Sequence, residues 1–172
     1  MTRRTLSHHE IAEAQLVFQG RLNTDRVRII EGVRWTNTLS RVHAWLRGSE
    51  PPPDNAVTLG NCISFPRPLQ TGEGTQAFSL TDMGWLMHEL THVWQFQHDG
   101  IIYLPQALYV QLRWGKKAYV YGGGDGLREA LKTGKTLRDF NREQQADIVR
   151  HYYLRLRQER ETDAWKPFVQ QL

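Results

Sequence analysis

The sequence predicts an α+β fold: a small antiparallel or mixed sheet beside a buried helix, followed by a C-terminal helical part. Three observations carry this. Segments 27–31 and 56–65 alternate polar and apolar positions and are rich in β-branched residues, the period-two signature of strands. Around residue 90, Trp85, Leu86, Leu90, Val93, Trp94 and Phe96 cover a helix almost all round with little charge, and such a helix is buried. Near the C-terminus Asn141 and Gln144 have capping-box spacing, opening a helix that continues through Ile148, Val149, Tyr152, Tyr153, Leu154 and Leu156. With 172 residues and no internal repeat, the expectation is one domain spanning 1–172, large enough for a real core.

The elements follow in order. Ser7 and Glu10 form a capping box opening a helix to about Phe18. Strand 27–31 comes next, and the stretch from Trp35 to Trp45 is helical or irregular. Residues 49–54, with three consecutive prolines, are a loop, as is the proline- and glycine-rich run from Pro66 to Thr75. Between them lies segment 56–65, read as a strand. Thr81 and Asp82 are good N-cap residues for the buried helix, and Gly100 suits its exit. Tyr103 to Trp114 reads as helical with an interruption near Pro105. The run Gly122-Gly123-Gly124-Asp125-Gly126 lacks the Lys-Ser/Thr of a phosphate-binding loop. It reads as a flexible turn, either a lid or a plain connector, before a short helix over 127–132 closed by Gly134.

On the buried helix stands His88-Glu89-Leu90-Thr91-His92, a His-Glu-x-x-His motif. Residues four apart share a helical face, so His88 and His92 can direct two imidazoles at one Zn2+. Glu89 then lies beside the open coordination position, where it can take a proton from the activated water. A catalytic zinc needs a third protein ligand, and two residues compete for that place. His98 follows His92 at metzincin spacing, but Gln95 stands where that class has the glycine of its sharp turn, and no methionine lies downstream to form its methionine turn. Glu143 is the other candidate; it shares a face with Asp147, four residues on, in the C-terminal helix.

The pairing of His88-Glu89-x-x-His92 with Glu143-x-x-x-Asp147 resembles the thermolysin-like (gluzincin) class. The resemblance implies Glu143 as the third zinc ligand and Asp147 as acceptor of the other ring N–H of His88, a link that fixes the tautomer and raises ligand basicity. Over more of the chain, the phrases His88-Glu89-Leu90-Thr91-His92-Val93-Trp94-Gln95 and Phe140-Asn141-x-Glu143-Gln144-Gln145-Ala146-Asp147-Ile148-Val149 are similar to metallopeptidase-like domains attached to bacterial contractile secretion systems. Those include the C-terminal domains of Vgr-type spikes and Rhs-linked type VI effectors. Val27-Arg28-Ile29 and Val57-Thr58-Leu59-Gly60-Asn61-x-Ile63 share the likeness. It implies a zincin-like domain, made in the bacterial cytoplasm and delivered as an effector toxin into a rival or host cell. Its implied partners are a protein or peptide substrate, a secretion spike or carrier, and an immunity protein.

Composition narrows the alternatives. Hydrophobic residues make up 40% and charged residues 23%, as in ordinary globular proteins, and no run of eighteen apolar residues predicts a membrane span. The N-terminus leads into a charged helix rather than an apolar signal core, so no signal peptide is expected. Cys62 is the single cysteine; no internal disulfide can form, and its expected role is a buried small hydrophobe. The net charge of +4 and pI of 9.4 would suit anionic partners, but Arg150, Arg155, Arg157 and Arg160 are interleaved with Glu159 and Glu161. That pattern reads as a paired, solvated face rather than a nucleic-acid site.

If the site is complete, the chemistry is peptide hydrolysis by a zinc-activated water with Glu89 as general base. Tyr119, Tyr121, His151 and Tyr152 are candidate donors to the developing oxyanion. The alternatives are a zinc-bound but inactive adaptor of a secretion apparatus, and a hydrolase of another amide such as peptidoglycan. Strand 56–65 is the candidate edge for an extended substrate.

Overall fold

A computed structural model describes residues 1–37, 54–72, 77–100 and 119–172. The expectations for 38–45, for the proline loop up to 53 and for 103–114 lie outside those residues. The fold is α+β, with a four-stranded mixed sheet of order β1-β2-β4-β3. Strand β1 (Thr2–Arg4) runs antiparallel to β2 (Arg28–Glu31), with Thr2 opposite Glu31. Strand β2 is parallel to β4 (Cys62–Phe65), Ile29 facing Ile63, and β3 (Val57–Leu59) closes the edge antiparallel to β4. Segment 56–65, expected as one strand, is therefore a hairpin. Gly60, with φ 62°, takes the first position of a two-residue turn, which glycine fills without steric cost. Cys62 is only half-buried on β4, not a core residue.

Helix α1 (His8–Phe18) opens with the expected Ser7–Glu10 capping box. Helix α2 (Leu80–Asp99) is the central buried element. Its N-cap is Ser79, whose hydroxyl accepts from the Asp82 N–H, rather than Thr81 or Asp82. Asp82 sits inside the first turn, where the helix dipole favours a carboxylate. There it accepts two 2.7 Å bonds from the Arg67 guanidinium and one from the Gln70 N–H, so it ties the preceding loop to the helix. The exit at Gly100, φ 69°, is as expected.

Helix α4 (Arg142–Arg157) opens with the Asn141–Gln144 capping box and packs along α2. Met83, Leu86, Met87, Leu90 and Val93 of α2 meet Ile148, Val149 and Tyr153 of α4, with Ile29, Ile63 and Phe65 of the sheet completing one buried cluster. The expected pairing holds for part of the basic face of α4: Arg157 meets Glu13 at 2.9 Å and Arg155 meets Glu161 at 3.5 Å, whereas the Arg150 Nε is buried without a hydrogen-bond partner among the described residues. No described helix is long and apolar enough to cross a membrane.

The glycine run departs from expectation. Helix α3 spans Gly123–Lys132, so three of the glycines are helical rather than a flexible turn. Helix propensity argues against this at about 1 kcal/mol per glycine, but packing overrides it. A Cβ on Gly124 would lie 3.0 Å from the Trp165 ring, and one on Gly126 would collide with the Tyr121 carbonyl oxygen. We expect Gly126→Ala to destabilise the protein by about 1–3 kcal/mol, the usual cost of overpacking, offset only in part by propensity. Denaturant unfolding checks this; a variant as stable as the parent would show that the 121–126 turn is not held closely. The last short helix, α5 (Lys166–Val169), follows Trp165.

Candidate metal centre

Helix α2 contributes His88, Glu89 and His92, and α4 contributes Glu143 and Asp147. Because α2 is covered by sheet and helix, His88, Glu89, His92 and Glu143 are all buried. The Nε2 atoms of His88 and His92 lie 3.3 Å apart, and the Glu143 Oε2 is 3.4 Å from the first and 3.5 Å from the second. These three side chains form a cluster able to hold a metal ion.

The outward nitrogens are fixed as well. His88 Nδ1 is 3.0 Å from Asp147 Oδ1, and His92 Nδ1 is 2.9 Å from Gln95 Oε1. A carboxylate and an amide oxygen can only accept, so both Nδ1 atoms carry a hydrogen, and once the rings are neutral both Nε2 lone pairs face the cluster. Gln95 is itself held by donating to the Arg142 carbonyl at 3.0 Å and to Gln145 Oε1 at 2.9 Å. The sequence marked Gln95 only as the residue that spoils the metzincin turn. Its i, i+3 spacing from His92 was the available sign of its contact with that ring.

Glu89, whose charge acts on both imidazoles, is tied to the sheet edge, where its Oε2 accepts the Thr58 hydroxyl at 2.6 Å. Tyr119 stacks obliquely near His88, ring centres 6.2 Å apart. Tyr121 Oη accepts from Trp165 Nε1 at 2.9 Å and lies 2.6 Å from His151 Nδ1. An indole can only donate, so Tyr121 Oη accepts there and keeps its own hydrogen, which it can give to His151 Nδ1 when that ring carries its proton on Nε2. Burial lowers the His151 pKa, in keeping with a neutral ring, and raises that of Tyr121 to about 12. Tyr152 is half-buried against the core. His98 is outside the cluster: its Nδ1 lies 2.9 Å from the Trp94 carbonyl and its ring stacks 4.6 Å from that indole. A cavity of about 530 Å³ at that end of α2 is lined by residues 20–26, Gln97 and His98 and by none of the clustered ligands.

In the bare chain, burial alone would push the His88 imidazole down. Hydrogen bonds to Asp147 and Glu143, with the charge of Glu89, outweigh it and raise the pKa to about 10. His92 is also raised, the charge and hydrogen bond of Glu143 prevailing over burial. Burial pushes Glu143 up, but the two imidazoles hold it well below the usual carboxylate range. Linkage gives the sign. A raised histidine contributes stability that is fully present below its unfolded value of 6.5 and is lost as pH rises through the folded one. A lowered carboxylate contributes above its unfolded value of 4.5 and loses that contribution in acid. Chelator-treated protein should therefore melt highest between about pH 5 and 6.5 and progressively lower toward pH 10. A bound metal competes with these protons, so added metal should stabilise most on the alkaline side. Thermal unfolding with and without chelator tests both arms; a chelated protein whose melting temperature climbs steadily from pH 6 to 10 contradicts the expectation.

No family model matches the chain. Among curated proteins it is similar to the type VI secretion system spike protein VgrG2b of Pseudomonas aeruginosa, 34% identical over 153 residues. That match takes in 88% of this chain and 13% of the relative, so the chain corresponds to about one-eighth of the spike's length. Among solved structures it is similar to the effector domain of Pseudomonas aeruginosa VgrG2b, with a TM-score of 0.66 and 32% identity. There the overlap is nearly complete, covering 96% of this chain and 81% of that domain. At 32% identity over 96% of this chain and 81% of that domain, the protein belongs to the family of VgrG2b-type effector domains.

Proposed function

We propose that this domain is a zinc-dependent metallopeptidase acting as a type VI secretion effector toxin. The observation that carries the reading is the ligand triangle, with edges of 3.3, 3.4 and 3.5 Å. Tetrahedral zinc with bonds of about 2.0–2.2 Å needs neighbouring ligand atoms about 3.3–3.5 Å apart. Two imidazole lone pairs and a carboxylate converging at that spacing fit zinc better than a hard cation, which prefers an all-oxygen shell.

In this reading His88, His92 and Glu143 hold the metal, while Asp147 and Gln95 lock the two rings. Zinc in that position supplies a Lewis acid that polarises the scissile carbonyl and lowers the pKa of a water toward neutrality. Glu89 accepts the proton of the attacking water and delivers it to the leaving amine. His151, with its hydrogen on Nε2 and its ring held by Tyr121, donates to the carbonyl oxygen as that atom gains charge. Tyr119 lies along the same wall, beside His88. Strand β3, outermost in the described sheet, is the element this reading assigns to binding an extended peptide. A spike or carrier protein, delivery into a target cell and an immunity protein complete the proposal, supported by the likeness to a spike-borne effector domain.

The test is incubation of the zinc-loaded protein with unfolded proteins and, separately, with isolated peptidoglycan, new termini being read by mass spectrometry and Glu89→Gln serving as control. Protein cleavage lost in the control supports the peptidase. Amide cleavage confined to peptidoglycan moves the same chemistry to another substrate. No cleavage of either leaves a metal-bound adaptor.

A further inference from the structure

The geometry points to Thr58 as a positioning residue for Glu89, holding one carboxylate oxygen against the sheet edge so that the other faces the reacting water. This rests on the reading in which Glu89 is the general base. Thr58 is the middle residue of β3, opposite Ile63 on β4, and its side chain is buried toward α2. Strand alternation puts Leu59 on the outer side, where it is half exposed. The Thr58 hydroxyl donates to Glu89 Oε2 at 2.6 Å, within the short range of charge-assisted bonds.

The strand is seated on the helix at a second point. A Cβ at Gly60 would lie 3.4 Å from the Phe96 ring, so the turn after β3 rests on α2 two turns beyond Glu89. The hydroxyl is thus presented from a strand paired with β4 and seated on α2 just beyond the contact, and not from a loose loop. A glutamate has three side-chain torsions to restrain. Its helical backbone disfavours one χ1 well and leaves the outer torsions open. Among the described residues, no hydrogen bond is made to Oε1. One oxygen is therefore tethered, and the carboxylate plane is set by a residue on the edge strand. The base and the proposed substrate-binding edge then share one rigid element, and the reacting groups need that kind of fixed relation.

The experiment compares wild type, Thr58→Val and Thr58→Ser as zinc-loaded proteins. Valine keeps shape and strand preference without the hydroxyl; serine keeps the hydroxyl. Crystal structures read the Glu89 orientation, zinc per chain is measured, and fluorescein-labelled casein reports turnover. In Thr58→Val, zinc should stay at the wild-type level while Glu89 leaves its single orientation. The kcat should fall about tenfold with KM unchanged, the size expected for losing one hydrogen bond to a charged group. Thr58→Ser should restore both orientation and kcat. An unmoved carboxylate in Thr58→Val, an unchanged kcat, or a serine variant that restores neither overturns the inference. Should wild type leave casein intact, the hydrolase reading is what suffers, and the Glu89 orientation alone decides the role of Thr58.

Discussion

Glu143→Ala is expected to reduce zinc affinity by at least about a hundredfold, whereas His98→Ala should bind zinc like the parent. The loss of an outer partner alone costs a metal site about 10–100-fold, and Glu143 is placed to contribute a direct bond. Its carboxylate also supplies the charge that balances two buried imidazoles, and removing it lowers the affinity of the pair for a cation. His98, stacked on Trp94 outside the cluster, contributes nothing of the kind. Zinc per chain in the two variants and wild type, purified in parallel, with thermal unfolding to show that each is folded, gives the answer. Zinc lost only in His98→Ala would move the third ligand and bring back metzincin-type coordination. Zinc absent from all three, even after metal is supplied, would remove the enzyme reading and leave a binding module. Asp147→Ala should fall between the extremes, because its bond to His88 orients a ligand without being one.

How much of this could be read from the chain depends on whether the information is local. The capping boxes at Ser7 and Asn141 involve neighbours three residues apart, and both are present where the sequence put them. The shared face of His88 and His92 needs only helical periodicity. The meeting of Glu143 with that face is different. Nothing in residues 141–147 alone names the helix they will pack on, so spacing left Glu143 and His98 both open. Only resemblance to zincins favoured the first. Contacts made between elements were the least legible. Thr58 was read as an ordinary strand residue, because a hydroxyl on a strand gives no sign of which helix it will meet. Gln95 was read against a motif it does not belong to. The start of α2 was placed at Thr81 and Asp82 since any Ser, Thr or Asp near a helix start can cap it. Asp82 is instead taken up by Arg67 and the Gln70 N–H, partners remote in sequence. The Gly123–Gly126 turn of α3 fails for a related reason: propensity spoke against helix, and the Trp165 ring and the Tyr121 carbonyl, which require glycine there, come from elsewhere.

Glu89→Gln should lower hydrolysis by about 10²–10⁴-fold while leaving zinc content and melting temperature near those of the parent. The argument turns on what glutamine keeps. It has the same shape, so no cavity forms, and its amide oxygen can still accept the Thr58 hydroxyl, so the side chain stays tethered at the sheet edge. It cannot take up a proton, and that is the one capacity the proposed mechanism requires of residue 89. The variant therefore separates roles that a deletion would merge: metal binding belongs to His88, His92 and Glu143, while proton transfer belongs to Glu89. An adaptor that uses the metal only to hold its shape would perform equally well with either residue, both in binding its carrier and in any effect on a target cell. A glutamine variant that cleaves at the parental rate would show that the proton leaves by another route. His151 would then be the first group to examine, since burial lowers its pKa and its ring is held by Tyr121 on the same face of α4 as Glu143 and Asp147.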